Sequence, residues 1–411
     1  MWYALLASLN SLWLALLGGW ALCRGTHDAL AGPPSSQSLA VRGMPKTAGV
    51  DADSERFRAR GPDDVRVVVV TGGASGLGRA LSEALAALGH RVVLTARDAV
   101  AGARAASEIR AKYASAHVVA MPLALDSLAS VRSFARALLA AEPRVDVLFS
   151  NAAHMVTQPK TRLETKDGLE MTLGVNALAP LFLALLLLPR LRASGRARVV
   201  FVSSRTHFPG ARFKGDPEVG FDAADAQMRN GFDVVKAYKN SKLALLWVCF
   251  ELQRRFASDT GVRFAAVCPG FVPVTAARRA PSLAMRVLLR WVLPRFSFAT
   301  SLADAVRSFL FMALSPDVQG GAFYTDRRAV PASADAADPD KARAFYEYAS
   351  TVLTPFLPTP DSASLADPAS PWSLAVTGEP RQQASVAVPA VGEPAIAEPP
   401  LAGVATSLVE N

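Results

Sequence analysis

A doubly wound α/β fold, Rossmann-type and built on a mostly parallel sheet of seven strands, follows from three features of the sequence. Short β-branched runs alternate with helix-length stretches from Val65 to Thr325. The first run leads through a glycine-rich turn straight into a helical pattern, and later runs end in small polar or glycine residues. Continuous apolar runs of this length suit strands buried on both faces of a parallel sheet. Right-handed crossovers then bring every carboxyl end to one edge, where open α/β sheets bind ligands.

The chain has 411 residues and a formal net charge of +9, a length that suits one large domain or two small ones. Trp2 to Cys23 is apolar apart from Ser8, Asn10 and Ser11, and at ~1.5 Å per helical residue it just spans a hydrocarbon core of ~30 Å. It reads as an uncleaved transmembrane anchor, because a basic leading segment is missing and the apolar run is longer than a signal peptide needs. Arg24, Arg42 and Lys46 outweigh Asp28, which predicts a cytosolic face for the chain beyond the anchor. Residues 24–62 read as a linker, 63–354 as the folded domain, and 355–411 as a disordered tail rich in Pro, Ala and Ser. That tail holds six acids and one Arg, leaving +14 on the remainder. The excess suits an anionic membrane face better than a nucleic acid, for which no basic–aromatic motif is present. Cys23, Cys249 and Cys268 are odd in number, far apart and set in apolar runs, which argues against a disulfide framework and against a metal cluster.

Within the domain, Val65 to Val70 is the first strand. It passes into Thr71-Gly72-Gly73-Ala74-Ser75-Gly76-Leu77-Gly78 and then into a helix. Strand, glycine turn and helix make a dinucleotide site, since glycines admit the pyrophosphate and the helix N-terminus offers it unpaired N–H groups. The second strand, Arg91 to Thr95, is followed by Ala96 and Arg97, where NAD-binding folds usually place a carboxylate on the ribose 2′-hydroxyl. A guanidinium there pairs with a 2′-phosphate, so NADP(H) is preferred over NAD(H). Asp98 keeps a solvated Arg97 as the alternative.

Further strands are read at His117–Met121 and Val145–Asn151, the latter ending in Asn151-Ala152-Ala153. A helix containing Asn176 leads into the apolar run Leu181–Leu188. Eight residues cannot cross a bilayer, so this is a core helix or a subunit interface, the latter implying a homodimer. Arg198–Val202 is a strand that delivers Ser203 and Ser204, Phe232–Phe256 is a helix, and Arg263–Cys268 is a strand ending at Pro269-Gly270. A last strand falls at Ala322–Thr325. Tyr238 and Lys242 lie four apart on that helix and so share a face. An ammonium beside a phenol, which ordinarily titrates near pH ~10, favours the phenolate and makes a usable proton donor and acceptor. The 33 residues between Ser204 and Tyr238 are expected to form a loop over the site. Pro281 to Phe298 sets an apolar stripe (Leu283, Val287, Leu288, Trp291) beside Arg286, Arg290 and Arg295, a pattern for a helix on an anionic membrane or for a lid packed on the domain.

Thr71-Gly72-x-x-x-Gly76-x-Gly78, Asn151-Ala152-Ala153, Asn176, Ser204, Tyr238-x-x-x-Lys242 and Pro269-Gly270, in this order, resemble the short-chain dehydrogenase/reductase family over Val65 to Leu353. Ser204-Arg205-Thr206-His207 and the residues around Tyr238 are most similar to its membrane-anchored, retinol-dehydrogenase-like branch. The resemblance implies an NADP(H)-dependent oxidoreductase interconverting a lipophilic alcohol and its carbonyl (retinoid, steroid or polyprenol), held in the endoplasmic reticulum membrane with its catalytic domain in the cytosol. It implies that Tyr238 exchanges the proton and that Lys242 lowers its pKa and holds the nicotinamide ribose. Ser204 would orient the substrate oxygen and Asn176 would help anchor a relay water. Cofactor contacts are implied at Gly72, Ser75, Gly76, Leu77, Gly78, Arg97, Asn151, Tyr238, Lys242, Gly270 and Val272. The segment around Tyr238 is also similar to protochlorophyllide reductases, which leaves reduction of a ring C=C bond as an alternative, and a non-catalytic NADP(H)-binding scaffold is another. Three positions depart from the pattern: Ala124 stands where an Asp is usual, with Asp126 two residues on; Ala153 replaces a Gly; and Val274 stands where a hydroxyl residue is expected, with Thr275 next.

Overall fold

The computed structural model describes residues 51–357 apart from 115, 156–160, 209–218, 223, 277–281 and 297–298. The expected anchor at 2–23 and nearly all of the expected tail lie outside the described residues. The sheet has eight strands in the order β3-β2-β1-β4-β5-β6-β7-β8: β1 Val67–Val70, β2 Arg91–Ala96, β3 Val118–Pro122, β4 Val147–Ser150, β5 Arg198–Val202, β6 Arg263–Cys268, β7 Phe323–Thr325 and β8 Arg328–Val330. Seven run parallel, as expected; the eighth corrects the strand count. It pairs antiparallel with β7 through the two-residue turn Asp326-Arg327, where both residues have positive φ, 45° and 64°. That is the backbone of a tight hairpin turn whose twist matches the strands. Neither residue is Asn or Gly, so the turn carried no sequence signal.

Side chains alternate along each strand and feed two cores. Val69, Val93, Leu148 and Phe201 pack under α4 (Leu128–Ala141), α6 (Ala179–Arg192), α7 (Val234–Thr260) and α12 (Pro339–Leu353). Val68, Val70, Leu94, Phe149 and Val200 pack under α2 (Gly76–Ala87), α3 (Ala99–Lys112) and α10 (Leu302–Leu314). Residues 171–192, through α5 (Met171–Leu173), a π-type turn (Gly174–Leu178) and α6, are long and apolar enough to cross a membrane, yet 94% of their most apolar 18-residue window is buried inside the domain. The core alternative for Leu181–Leu188 is therefore the one realised. Of the two expected boundaries, each is crossed by a few residues. Upstream of 63, α1 (Ala52–Glu55) is tied on by an Arg307–Asp51 hydrogen bond of 2.6 Å, and His90 Nε2 lies 2.9 Å from the Phe57 carbonyl. Downstream of 354, Phe356 and Leu357 pack on the first core.

The strand order places β1 beside β4, the point at which successive connections leave the sheet in opposite directions. A crevice opens there at the carboxyl edge. The ends of β1, β4, β5 and β6 surround it.

Candidate active site

The crevice begins with the glycine turn. Thr71, buried at the end of β1, accepts through Oγ1 from the Asn151 N–H at 2.9 Å and the Ala152 N–H at 3.0 Å, while Asn151 Nδ2 donates to the Thr71 carbonyl at 2.9 Å. Asn151, expected at the cofactor, thus spends its side chain on locking the two strand ends together. Thr71 is half of that lock, and its conventional place before the glycines gave no hint of it. Gly78 is required by space: a Cβ there would lie 2.4 Å from the Gly72 carbonyl oxygen and 2.6 Å from Asn151 Nδ2. The helix therefore starts pressed against the turn.

Ser75 is the N-cap of α2, but its side chain makes no capping bond. The first amides of the helix, including those of Leu77 and Gly78, lack intrahelical partners by geometry and are left for an anion. Arg97 is exposed just past β2 and forms no ion pair among the described residues. The nearby carboxylate is committed elsewhere: Asp98 caps α3, accepting from Val100 N at 2.9 Å and Ala101 N at 3.3 Å. Asp126 retains a buried carboxylate oxygen with no hydrogen-bond partner among the described residues. These features fit a nicotinamide dinucleotide.

At the opposite side of the crevice, β5 and α7 are stitched in both directions. Lys242 Nζ donates to the Val202 carbonyl at 2.9 Å, and Ser203 Oγ donates to the Lys242 carbonyl at 2.9 Å. Lys242 is buried, and its ammonium sits 5.7 Å from the Tyr238 ring centroid. The expected pairing on one helix face is present. Ser203 is thereby committed to the helix, while the Ser204 Oγ accepts from Thr206 N at 3.2 Å.

Ser204 is held in turn by His207, a residue to which no role was assigned. The His207 ring is fully buried, its Nδ1 lies 2.6 Å from the Ser204 carbonyl, and its Nε2 accepts from Ser333 N at 3.2 Å. This pair of bonds requires the Nδ1-protonated neutral ring, and burial pushes its pKa down to about 4.

Asn176 lies within the π-type turn Gly174–Leu178, a distortion common at functional sites. Its Oδ1 accepts from His154 N at 2.6 Å, and its Nδ2 donates to the His154 carbonyl at 2.8 Å and to Ser241 Oγ at 3.0 Å. Ser241 Oγ donates onward to the Tyr238 carbonyl at 2.8 Å. The side chain of Asn176 thus braces the segment after β4 against the helix that carries Tyr238.

After β6, Gly270 has φ +76°, and a Cβ there would fall 2.0 Å from Thr300 Oγ1. Val272 is buried, and its carbonyl accepts from Thr275 N and from Thr275 Oγ1. Thr275 is the nearest neighbour of a Cβ built on Gly76, at 3.9 Å. The hydroxyl residue shifted by one position still faces the glycine turn.

The expected loop over the site is placed differently where it is described. Phe221 stacks edge-on against Trp247 at 5.9 Å and Phe345 at 5.2 Å. With Asn240, Leu243 and Trp247 it lines a cavity of about 180 Å³, on the side of α7 opposite Tyr238 by helical spacing. Aromatic packing draws this segment to the back of the helix, away from the chemistry.

Comparison with known proteins accords with this geometry. Residues 66–213 match the family model for short chain dehydrogenases. Mouse retinol dehydrogenase 14 is 34% identical over 304 residues, covering 70% of this chain and 86% of its own length. Mouse polyprenol dehydrogenase is 42% identical over 197 residues, which is 47% of this chain and only 55% of that protein. Among solved structures, an uncharacterized protein from Mycobacterium Paratuberculosis superposes with a TM-score of 0.53 at 29% identity, over 70% of this chain and 93% of its own. The chain belongs to the short-chain dehydrogenase/reductase family, in its retinol-dehydrogenase-like branch.

Proposed function

We propose that the protein is an NADP(H)-dependent oxidoreductase that interconverts a lipophilic alcohol and its aldehyde or ketone. The observation that carries this reading is the buried Lys242 ammonium fixed to the end of β5 and facing the Tyr238 ring, beside a glycine turn built for a dinucleotide. The nicotinamide, when bound, supplies or accepts the hydride. Everything else falls to this chain's residues. Tyr238 gives its phenolic proton to the substrate oxygen during reduction and takes it back during oxidation, with Lys242 favouring the phenolate. Ser204 donates a hydrogen bond to that oxygen as charge develops on it. Asn176 keeps Tyr238 in register through Ser241 and helps hold a relay water. Arg97 pairs with a 2′-phosphate, since the carboxylate that would repel it is occupied at a helix cap.

A lipophilic substrate is supported by the names of the relatives, retinol dehydrogenase 14 and polyprenol dehydrogenase, and by the greasy segment at residues 283–296. The apolar run at 2–23 would anchor the enzyme in the endoplasmic reticulum membrane with this domain in the cytosol. The test is NADPH oxidation by detergent-solubilised full-length protein with retinals, ketosteroids and long-chain aldehydes. Turnover of at least one of these, faster with NADPH than with NADH, is expected. NADPH binding without turnover of any of them would instead make the chain a cofactor-binding scaffold.

A further inference from the structure

The segment after β6 leaves the sheet and returns to the same place. Phe271 bridges Ala299, and Thr300 N donates to the Phe271 carbonyl at 2.7 Å, so the intervening residues form an excursion from the carboxyl edge. It holds a short helix, α8 (Pro273–Ala276), and then α9 (Leu283–Val287), which continues through turns to Arg295. One side of it is satisfied: Leu289 and Leu293 are buried against Phe271, Met285 and Leu288. The other side is apolar as well. Leu283 is 72% exposed, Trp291 and Phe296 each 51%, and Val287 47%. A helix that is apolar on its solvent side needs something to cover it.

The charges around these residues indicate what covers them. Arg286, Arg290 and Arg295 are exposed, and Arg290 lies over the Trp291 ring at 5.7 Å. The sequence from Thr260 to Ala303 contains no Asp or Glu at all. Aromatic and aliphatic side chains flanked only by arginines match an interface of acyl chains beneath anionic headgroups. A second copy meeting this face symmetrically would set arginine against arginine.

We propose that the outer face of residues 283–296 docks onto an anionic lipid bilayer, with Trp291 entering the acyl region and the three arginines at the headgroups. This is a membrane contact separate from any anchor at 2–23. It deepens the proposed function by presenting the catalytic edge to the phase in which a lipophilic substrate dissolves, and it rests on that function only for this last consequence.

The test uses full-length protein reconstituted into vesicles of phosphatidylcholine with or without phosphatidylserine, and tryptophan quenching by acyl-brominated lipid. The difference between wild type and Trp291→Phe isolates Trp291. Quenching of Trp291 at least about twofold greater in anionic than in neutral vesicles is expected, lost in high salt and in Arg286→Glu/Arg290→Glu/Arg295→Glu, whose unfolding temperature stays that of wild type. Equal quenching in both lipids, or unchanged quenching in the triple variant, overturns the anionic partner. Trp291 already shielded from iodide before lipid is added assigns the face to a second copy or to the acidic C-terminal segment, and overturns the proposal. Because quenching requires no turnover, a catalytically silent protein that still docks would refute the proposed function and leave this inference standing.

Discussion

In the proposed reading, Arg97 selects the phosphorylated cofactor, and its neighbour Asp98 is held away from it. Asp98 is adjacent, and in sequence it kept a merely solvated Arg97 as the alternative; its carboxylate closes the first turn of α3. Removing the guanidinium in Arg97→Ala should raise the KM for NADPH at least about tenfold while changing that for NADH little, as expected for loss of a charge-assisted pair. An equal effect on both cofactors, measured by initial rates, would rule out the phosphate contact. His207 is a second residue whose meaning required coordinates. Its folded pKa of about 4 lies below the unfolded value of 6.5, so below pH 6.5 the unfolded chain binds a proton that the folded chain excludes. Stability from this group is therefore complete above pH 6.5 and is lost as pH falls toward 4. About 2 kcal/mol should be gone by pH 5 and about 3 kcal/mol by pH 4. Denaturant unfolding should show this acid loss in wild type and a correspondingly smaller loss in His207→Asn. Parallel curves for the two proteins would show that His207 does not titrate in this way.

At the scale of elements, the brace between the π-type turn and α7 governs how firmly Tyr238 is held. Ser241→Ala leaves Asn176 Nδ2 with one partner fewer in a buried place. The expected cost is about 1–3 kcal/mol of stability, together with a fall in kcat and little change in the KM for NADPH. A loss of stability with unaltered kcat would make the brace purely structural. Parallel strands and the helices between them were legible because burial on both faces writes continuous apolar runs. Strand β8 was not, since three residues, two of them exposed, behind an Asp-Arg turn carry no pattern. The direction of the described segment around Phe221 was not legible for a different reason: it is decided by aromatic partners on α7 and α12, which lie far away in sequence.

For the molecule as a whole, the motif spacing along the chain pointed to the carboxyl edge of the sheet, because a doubly wound sheet must gather its carboxyl ends. What spacing could not give was the division of labour among polar residues at that edge. Asn151 locks strands, Ser203 anchors a helix and Thr275 bonds back to the Val272 carbonyl beside the glycine turn, all contacts that spacing does not encode. The proposed chemistry depends on Tyr238 as the proton donor and acceptor. The most direct measurement compares kcat for NADPH-dependent reduction of a turned-over lipophilic carbonyl by wild type and by Tyr238→Phe, with NADPH affinity measured on both. A fall in kcat of at least about 10²-fold with retained NADPH binding is the predicted result; a kcat equal to wild type would contradict it.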